Sequence, residues 1–318
     1  MYHINIRKFE LNDIAAVTKL LFDSFNKQAI RVGGTPAADS TEWYNEVTRR
    51  SPTINNTLGL VACSKNDTND IVGVVFMNYM DEIGSCGPFA TRHDLHSHGI
   101  MYQLINELIQ YSQQLNVKQL RLLATLSNMQ SFSRYVKCGF IPCNYIMYSY
   151  GYIHQSAIAQ YQSDTSNQWI AIRDMNDNDI ELCDELYIEC NGYSRINNIR
   201  INALDHTYNE LFSLVAIDTN TNNIIGFWSR PTLEGYIVAR NDHIFKALYI
   251  TASQRLQHLN HSIGPTVLLC HSNYNSMKWL LDHGVRIQQQ MTMMYRNIGN
   301  HQSIYQQPTM LYCSSVEM

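Results

Sequence analysis

Two kinds of apolar spacing alternate along the first 150 residues of the chain. Apolar residues at helical spacing follow Asn12-Asp13, a pair suited to cap a helix, and they recur after Gly99. Short apolar runs bounded by polar turns predict strands between these helices. The runs at 58–63 and 71–77 are separated by a polar turn and predict an antiparallel hairpin. The expected order is strand, helix, three strands, helix, strand, helix, strand.

The same pattern starts again near residue 170. Ile170-Ala171-Ile172-Arg173 followed by Asp179-Ile180 repeats Ile4-Asn5-Ile6-Arg7 followed by Asp13-Ile14 at identical spacing. A repeat longer than a hundred residues predicts two copies of one domain. The expected limits are a first domain at 1–150, a polar linker at 151–168, a second domain at 169–298 and a tail at 299–318.

A candidate anion site lies at the turn His96-Ser97-His98-Gly99-Ile100. A short apolar strand, Gly87 to Thr91, precedes this turn, and a helix is predicted after it. The first N–H groups of a helix lack partners and carry the positive end of its dipole. Because glycine lets the main chain come close, the turn could bind a phosphate.

Two segments of this region resemble the motifs of the GNAT N-acyltransferase superfamily. The stretch 87–101 resembles its acyl-CoA-binding motif, which ends in Gln/Arg-x-x-Gly-x-Gly/Ala. The stretch 128–140 is similar to Asn-x-x-Ala-x-x-Leu-Tyr-x-x-x-Gly-Phe. His96 stands where the family has Gln or Arg, and Met101 stands where it has Gly or Ala.

The resemblance implies an α/β (α+β) fold of two GNAT-type domains, each with a mixed, mostly antiparallel sheet flanked by helices. It implies acetyl-CoA as co-substrate, with pantetheine along the strand and pyrophosphate at the turn. It assigns Tyr135 as the catalytic proton donor to the leaving thiolate. The implied CoA-binding residues are Phe89, Ala90, Thr91, His96, Ser97, His98, Gly99, Ile100, Met101 and Asn128. Asn128 is equally suited to be a helix cap.

The second copy departs from these motifs. Its segment 234–242 has no Gly-x-Gly type of turn, and Leu280 stands at the position of Tyr135 when counted from Asn273. The second half also resembles the C-terminal half of tandem GNAT proteins. We therefore expect a degenerate lobe that keeps the fold and binds no CoA.

Composition and charge limit the partners and the location expected for the protein. The 318 residues are 45% hydrophobic with a formal charge of −4, so a nucleic-acid partner is not expected. No apolar run reaches the roughly 20 residues of a membrane span, and the first residues lack a signal peptide's apolar centre. A cytoplasmic location is expected, with the nucleus as alternative. The eight scattered cysteines are expected to be reduced, and no metal site is expected at the histidines 93, 96 and 98.

The expected reaction is direct transfer of an acetyl group to an amine of a small molecule or peptide in a ternary complex. The alternative is a catalytically inactive, CoA-binding or regulatory protein, in which Met101 and the histidines have abolished turnover. A protein-modifying enzyme would need an acidic acceptor groove, and no acidic run suggests one. Asp81 and Glu82 are candidates for a general base, or else form a solvated turn.

Overall fold

The computed structural model describes residues 3–34, 40–42, 44, 45, 48, 56–79, 82–96, 98–204, 212–232, 235 and 237–299. These residues form two compact units. The first comprises the described residues within 1–142 and 294–302, and the second comprises those within 143–293.

The first unit is a sheet with helices on both faces. Its strands are β1 (Ile4–Lys8), β2 (Thr57–Ser64), β3 (Asp67–Asn78), β4 (Ile83–Thr91) and β5 (Gln119–Thr125), and its helices are α1 (Ile14–Arg31), α2 (Ile100–Gln114) and α3 (Met129–Lys137). Strands β1 to β4 pair antiparallel in chain order, and β5 runs parallel to β4. Apolar residues of α1 pack on one face of the sheet, and those of α2 pack on the other. The alternating and helical apolar patterns of the sequence thus become two core layers.

The second unit repeats this architecture. It contains α4 (Gln155–Ser163), β7 (Ile170–Asp174), α5 (Ile180–Asn191), α6 (Ile196–Leu204), β8 (Ser213–Asp218), β9 (Ile224–Ser229), β10 (Ile237–Ala239), α7 (Asp242–His258), β11 (Thr266–Cys270) and α8 (Tyr274–Asp282). Strands β7 to β10 form an antiparallel sheet in chain order. The fold class expected from the sequence is confirmed.

Two strands pass from one unit into the other. Strand β6 (Ile141–Tyr150) begins in the first unit, and its later residues pair antiparallel with β11 in the second. Strand β12 (Arg286–Asn297) begins in the second unit, and its end lies beside β5 in the first. There Gln119 donates to Asn297 at 2.9 Å, and Ile298 N–H donates to the Lys118 carbonyl at 2.9 Å. Because two strands have residues in both units, the limits of the sequence repeat need not match the limits of the compact units. The domain limits expected from the sequence therefore stay a prediction.

The internal repeat includes an Arg–Asp ion pair with the same hydrogen bonds at the start of each unit. Arg7 holds both carboxylate oxygens of Asp13 at 2.7 and 2.8 Å, and Arg173 holds those of Asp179 at 2.6 and 2.8 Å. Each carboxylate also accepts the main-chain N–H three residues earlier, at 2.8 Å. The predicted cap at Asn12-Asp13 is wrong in its detail, because the Asp13 side chain points back to Arg7 and makes no cap hydrogen bond to α1.

Other expectations are corrected or lie outside the described residues. The stretch expected to be a polar linker contains helix α4, in which Ala157 and Ile158 are buried. Two buried residues in so short a helix give no visible period, which is why the pattern failed to indicate it. The sequence also predicts a short helical piece near Trp43, and of that stretch Glu42, Tyr44, Asn45 and Thr48 are described and are helical. Trp43 itself and the tail after Gly299 lie outside the described residues. In the described part of the chain, no helix is both long and apolar enough to cross a membrane.

Candidate functional site

Strands β4 and β5 diverge along their length. They pair only at Ile83–Ser85 with Gln119–Arg121 among the described residues. Beyond Ser85, β4 continues to pair with β3 as far as Thr91, with a register shift before Phe89. A gap therefore opens between two parallel strands at the carboxyl end of β4.

Main-chain groups of β4 face this gap. Arg92 N–H donates to the Val72 carbonyl at 2.9 Å. Because main-chain groups alternate in direction along an antiparallel strand, the N–H and carbonyl of Ala90 also point toward β3. The main-chain groups of Phe89 and Thr91 consequently point to the opposite side, where β5 has left. The Thr91 carbonyl accepts the Ser24 hydroxyl there at 3.1 Å. The remaining donors could pair with an extended ligand, as a further strand would.

The gap leads to the N-terminus of α2. Gly99 is the N-cap residue with a φ of 78°, a left-handed conformation that favours glycine, although a Cβ there would meet no atom within 4 Å. Glycine is thus required for the turn's conformation and not for space. The N–H of Gln103 makes a helical bond to the Gly99 carbonyl at 3.1 Å. The N–H groups of Ile100, Met101 and Tyr102 precede it and point out of the helix end.

A cavity of about 240 Å³ lies at this helix end. It is lined by Thr91, Leu95, His96, Gly99, Ile100, Met101, Tyr102, Arg134 and Lys137. Five of these belong to the predicted CoA-binding set: Thr91, His96, Gly99, Ile100 and Met101. Among the described residues, no acidic side chain lines the cavity.

Arg134 and Lys137 are lining residues that the sequence reasoning missed. They lie three residues apart on α3, so they share one face of that helix. The spacing was visible in the sequence. However, the pattern does not show that this face meets the N-terminus of α2.

The cavity is electrostatically positive. The pKa of His96 is lowered from its usual value, first by burial and then by the neighbouring charges of His93 and Arg134 and, more weakly, Arg31, although a main-chain hydrogen bond at Thr91 opposes this. The rings of His93 and His96 lie 4.6 Å apart. Burial also lowers the pKa of Arg134, Tyr135 raises it, and Arg31 lowers it further. A bound anion would reduce the repulsion between these cations and accept hydrogen bonds from the first N–H groups of α2.

The predicted catalytic Tyr135 lies beside the gap and does not line the cavity. It is 7% exposed and packs against Phe89 and Phe140, with ring centroids 5.5 and 6.2 Å apart. Burial raises the pKa of Tyr135 well above its usual range, although a hydrogen bond with Ser131 and the charge of Arg134 oppose this. Contact with Phe89 places the ring next to the diverging strand. The catalytic role of Tyr135 stays a prediction.

The remaining predicted residues take separate positions. Asn128 caps α3, because its side-chain oxygen accepts the Ser131 N–H at 3.1 Å. The Ala90 side chain packs into the α1 layer of the core, and His98 is exposed. Ser97 lies outside the described residues.

The candidate bases receive no support from the geometry. Glu82 is ion-paired with Lys118 just before β4 begins, at the end of that strand away from the cavity. Asp81 lies outside the described residues. Among the described residues, no group of three or more His, Cys, Asp or Glu side chains could hold a metal ion.

The corresponding helix end in the second unit is already satisfied. The Asn241 side chain caps α7 by accepting the Ile244 N–H at 3.0 Å. Asp242 adds a carboxylate to the first turn and accepts the Ser276 hydroxyl at 2.7 Å. Leu280, at the position that matches Tyr135, is buried. A helix end with its own cap and its own negative charge is a poor phosphate site.

Comparison with known proteins agrees with this geometry. The sequence model described as the acetyltransferase (GNAT) family matches residues 18–140. No curated protein matches the chain. A Pyrococcus horikoshii protein described as a candidate acetyltransferase has a TM-score of 0.69 and 13% identity, with 99% of this chain and 95% of that chain covered.

Two further solved structures are similar over nearly the whole chain. A GCN5-related N-acetyltransferase from Sphaerobacter thermophilus has a TM-score of 0.60 and 11% identity, covering 95% of this chain and 98% of that one. A tandem GNAT protein from the clavulanic acid biosynthesis pathway has a TM-score of 0.58 and 10% identity, covering 94% and 100%. At these identities the likeness shows the fold alone. Residues 18–140 therefore match the GNAT acetyltransferase family, and the chain has the fold of tandem GNAT proteins along almost its whole length.

Proposed function

We propose that the first unit is an N-acetyltransferase that moves an acetyl group from acetyl-CoA to an amine of a small molecule or peptide. The observation that carries the proposal is the gap between β4 and β5, which leads directly to a cationic helix end. An extended pantetheine chain can pair with the first feature, and a pyrophosphate can bind at the second. The family match at residues 18–140 supports the same reaction class.

The reaction is a direct displacement. The neutral amine attacks the thioester carbonyl carbon, the C–N bond forms, the C–S bond breaks, and the amine's proton leaves to solvent. An N–H of Phe89 or Thr91 polarises the carbonyl oxygen, and one such donor is typically worth about 3 kcal/mol. Tyr135 supplies the proton that the CoA thiolate takes up, and the phenolate regains a proton from solvent before the next turnover. Its raised pKa keeps the phenol protonated at alkaline pH, as a donor requires, while making it a weaker acid than an exposed tyrosine.

We infer that the second unit binds no CoA. Its capped and acidic α7 end and the apolar Leu280 support this, because the helix end that would bind pyrophosphate and the tyrosine that would protonate the thiolate are both replaced. We infer that it serves a structural role or shapes the acceptor site.

A specific observation favours the alternative of an inactive CoA-binding protein. Met101 lines the cavity in the first turn of α2 and is only 8% exposed. A side chain of this size at a phosphate-binding turn could displace the thioester from its reactive position. Activity with any amine would exclude this alternative.

The test is calorimetric titration of acetyl-CoA into the full chain and two glycine variants. Gly99→Glu places a carboxylate at the turn and should abolish binding. Gly33→Glu is the matched control, because Gly33 also has a positive φ, of 84°, and open space at its Cβ. One site per chain, lost in Gly99→Glu and kept in Gly33→Glu, is the expected result. No binding to the unmodified chain would overturn the proposal.

Tyr135→Phe tests the proton donor once an acceptor is found in a screen of amines for thiol release. We expect kcat to fall by about 10²- to 10⁴-fold, with acetyl-CoA affinity unchanged. Tyr249→Phe is the matched control, because it removes a buried hydroxyl that bonds only to main-chain carbonyls of the second unit. An unchanged kcat in Tyr135→Phe would remove Tyr135 from the mechanism.

A further inference from the structure

Helix α3 brings two cations to the end of another helix. Arg134 is half-buried and Lys137 is exposed, and both line the cavity at the N-terminus of α2. Half-burying a guanidinium beside other cations carries an energetic cost. A bound anion would offset this cost, because it pairs with the cations.

The other described charged groups near the cavity do not neutralise this charge. His93 and His96 come from the loop before α2, and Arg31 comes from the end of α1. Asp94, the acidic residue of that loop, is ion-paired with Arg92 at 3.0 Å. The cavity therefore collects positive charge from α1, the loop and α3, and the described part of the chain places no carboxylate in its lining.

Two positions near the cavity differ from the GNAT motifs, one in the loop before α2 and one on α3. His96 occupies the place of the motif's Gln or Arg, and its lowered pKa leaves it mostly neutral at pH 7. Arg134 occupies the leucine position of Asn-x-x-Ala-x-x-Leu-Tyr. Compared with the form of the motif that has Arg in the loop, a permanent charge is absent at position 96 and one is present on α3 at Arg134.

We infer that Arg134, assisted by Lys137, binds the phosphates of CoA and supplies the charge that the loop lacks at position 96. This inference rests on the proposed function, since it concerns the same site. It makes α3 a phosphate-binding element as well as the carrier of Tyr135. Guanidinium is well suited to this duty, because it stays charged and presents paired N–H donors to phosphate oxygens.

The experiment measures CoA dissociation constants for the full chain and for four variants. Arg134→Leu restores the motif residue and should weaken binding by about 10- to 100-fold, the loss expected for a charge-assisted bond. Arg134→Lys keeps the charge and should weaken it less. His96→Arg added to Arg134→Leu should recover part of the affinity. Arg286→Leu, at an exposed arginine of the second unit, is the matched control and should bind as the unmodified chain does.

Each outcome decides the matter. If Arg134→Leu binds CoA as tightly as the unmodified chain, this inference is overturned and the proposed function stands. If Arg134→Lys loses as much as Arg134→Leu and His96→Arg recovers nothing, Arg134 acts through structure and the inference is overturned. If the unmodified chain binds no CoA, the proposed function fails and takes this inference with it. Thermal unfolding midpoints identify any variant that has lost its fold. If an Arg134 variant is unfolded, Lys137→Met is used in its place, and it should also weaken CoA binding.

Discussion

The duplicated ion pair shows how a single residue anchors the start of each unit. The side chain of Asp13 is 8% exposed and is held by Arg7 and by the Glu10 N–H. Burial alone raises the pKa of Asp13, but these hydrogen bonds outweigh burial and hold it below its usual value. Asp179 has the equivalent partners, Arg173 and the Asn176 N–H, and its pKa is lowered in the same way. The carboxylate is thus stabilised in its charged form in both copies.

Asp13→Asn should lower the free energy of unfolding by about 1–3 kcal/mol at pH 7, because it removes a charge from a hydrogen-bonded pair. The folded-state pKa is lowered, so this stability is present above the unfolded value near 4 and disappears as pH falls through the folded value. The difference between Asp13→Asn and the unmodified chain should therefore shrink below about pH 4. Urea unfolding from pH 7 to pH 3 measures it, with Asp179→Asn as the matched variant. A difference independent of pH would contradict the assignment.

His96 should make CoA affinity depend on pH. Its pKa lies below 6.5 in the free protein, and a bound phosphate would favour the imidazolium and raise that pKa. Binding then takes up a proton, so affinity should increase as pH falls through the bound-state pKa of His96 and level off below its free-protein pKa. Titrations between pH 5 and pH 8 measure this effect.

His96→Gln separates this effect from the ligand's own titration. CoA phosphate also changes charge near pH 6, and the variant reports that background alone. A steeper increase in the unmodified chain is the expected result. Identical profiles for the two proteins would show that His96 does not face the phosphate.

At the residue scale, the sequence predicted the turn but not its surroundings. Gly99 could be found because glycine between a strand and a helix has a local conformational cause, confirmed by its φ of 78°. Arg134 and Lys137 could not be assigned, since their role depends on how α3 packs against α2. That packing brings together residues more than thirty positions apart, and no local pattern records it.

Helix α3 is held at both of its ends. Asn128 caps its start, and Arg296 of β12 donates to the Cys138 carbonyl at its end. A cation on the last carbonyls of a helix opposes the negative end of its dipole. These two contacts fix the element that carries Arg134 and Tyr135.

Asn128→Ala should lower stability by about 1 kcal/mol through loss of the cap. Asn128→Ser keeps a capping oxygen, so it should retain most of that stability. Comparing acetyl-CoA affinity in the two variants separates the cap from the predicted CoA contact. If Asn128→Ser is stable and binds less tightly, the side chain contacts the ligand. If it is stable and binds normally, Asn128 is a cap alone.

At the element scale, the apolar runs were enough to place the strands but not to pair them. The hairpin of β2 and β3 was predicted correctly, because a short polar turn forces neighbours to pair. The divergence of β4 and β5 after three paired residues has no such local cause. Strand β4 also has a register shift against β3 in this region, and neither feature is visible in the apolar runs.

At the scale of the whole molecule, strands β6 and β12 each have residues in both units. The sequence predicted two copies from the repeat, and the structure confirms two similar units. It could not show that β12 ends in the first unit, because apolar residues at 291–295 suit the core of either copy. Met294 and Ile298 are buried in the core of the first unit, with exposures of 0% and 3%.

A chain that ends after residue 168 should therefore be poorly folded, although it contains the matched family region at 18–140. It lacks Met294 and Ile298, whose burial is worth about 1.5–3 kcal/mol each. It also leaves β5 without the hydrogen bonds that Asn297 and Ile298 supply. The combined loss, roughly 3–6 kcal/mol from the two side chains alone, approaches the roughly 5–15 kcal/mol that stabilises a typical domain.

The expected result for residues 1–168 is urea unfolding at a much lower midpoint than the first transition of the full chain. Adding a peptide of residues 286–299 in excess should restore the midpoint by mass action, because the peptide binds only the folded form. A peptide in which Met294 and Ile298 are replaced by serine is the matched control, since it keeps the main-chain donors and removes the apolar side chains. If residues 1–168 unfold at the midpoint of the full chain, β12 contributes little to the first unit. If both peptides restore stability equally, the main-chain bonds to β5 matter more than the burial of Met294 and Ile298.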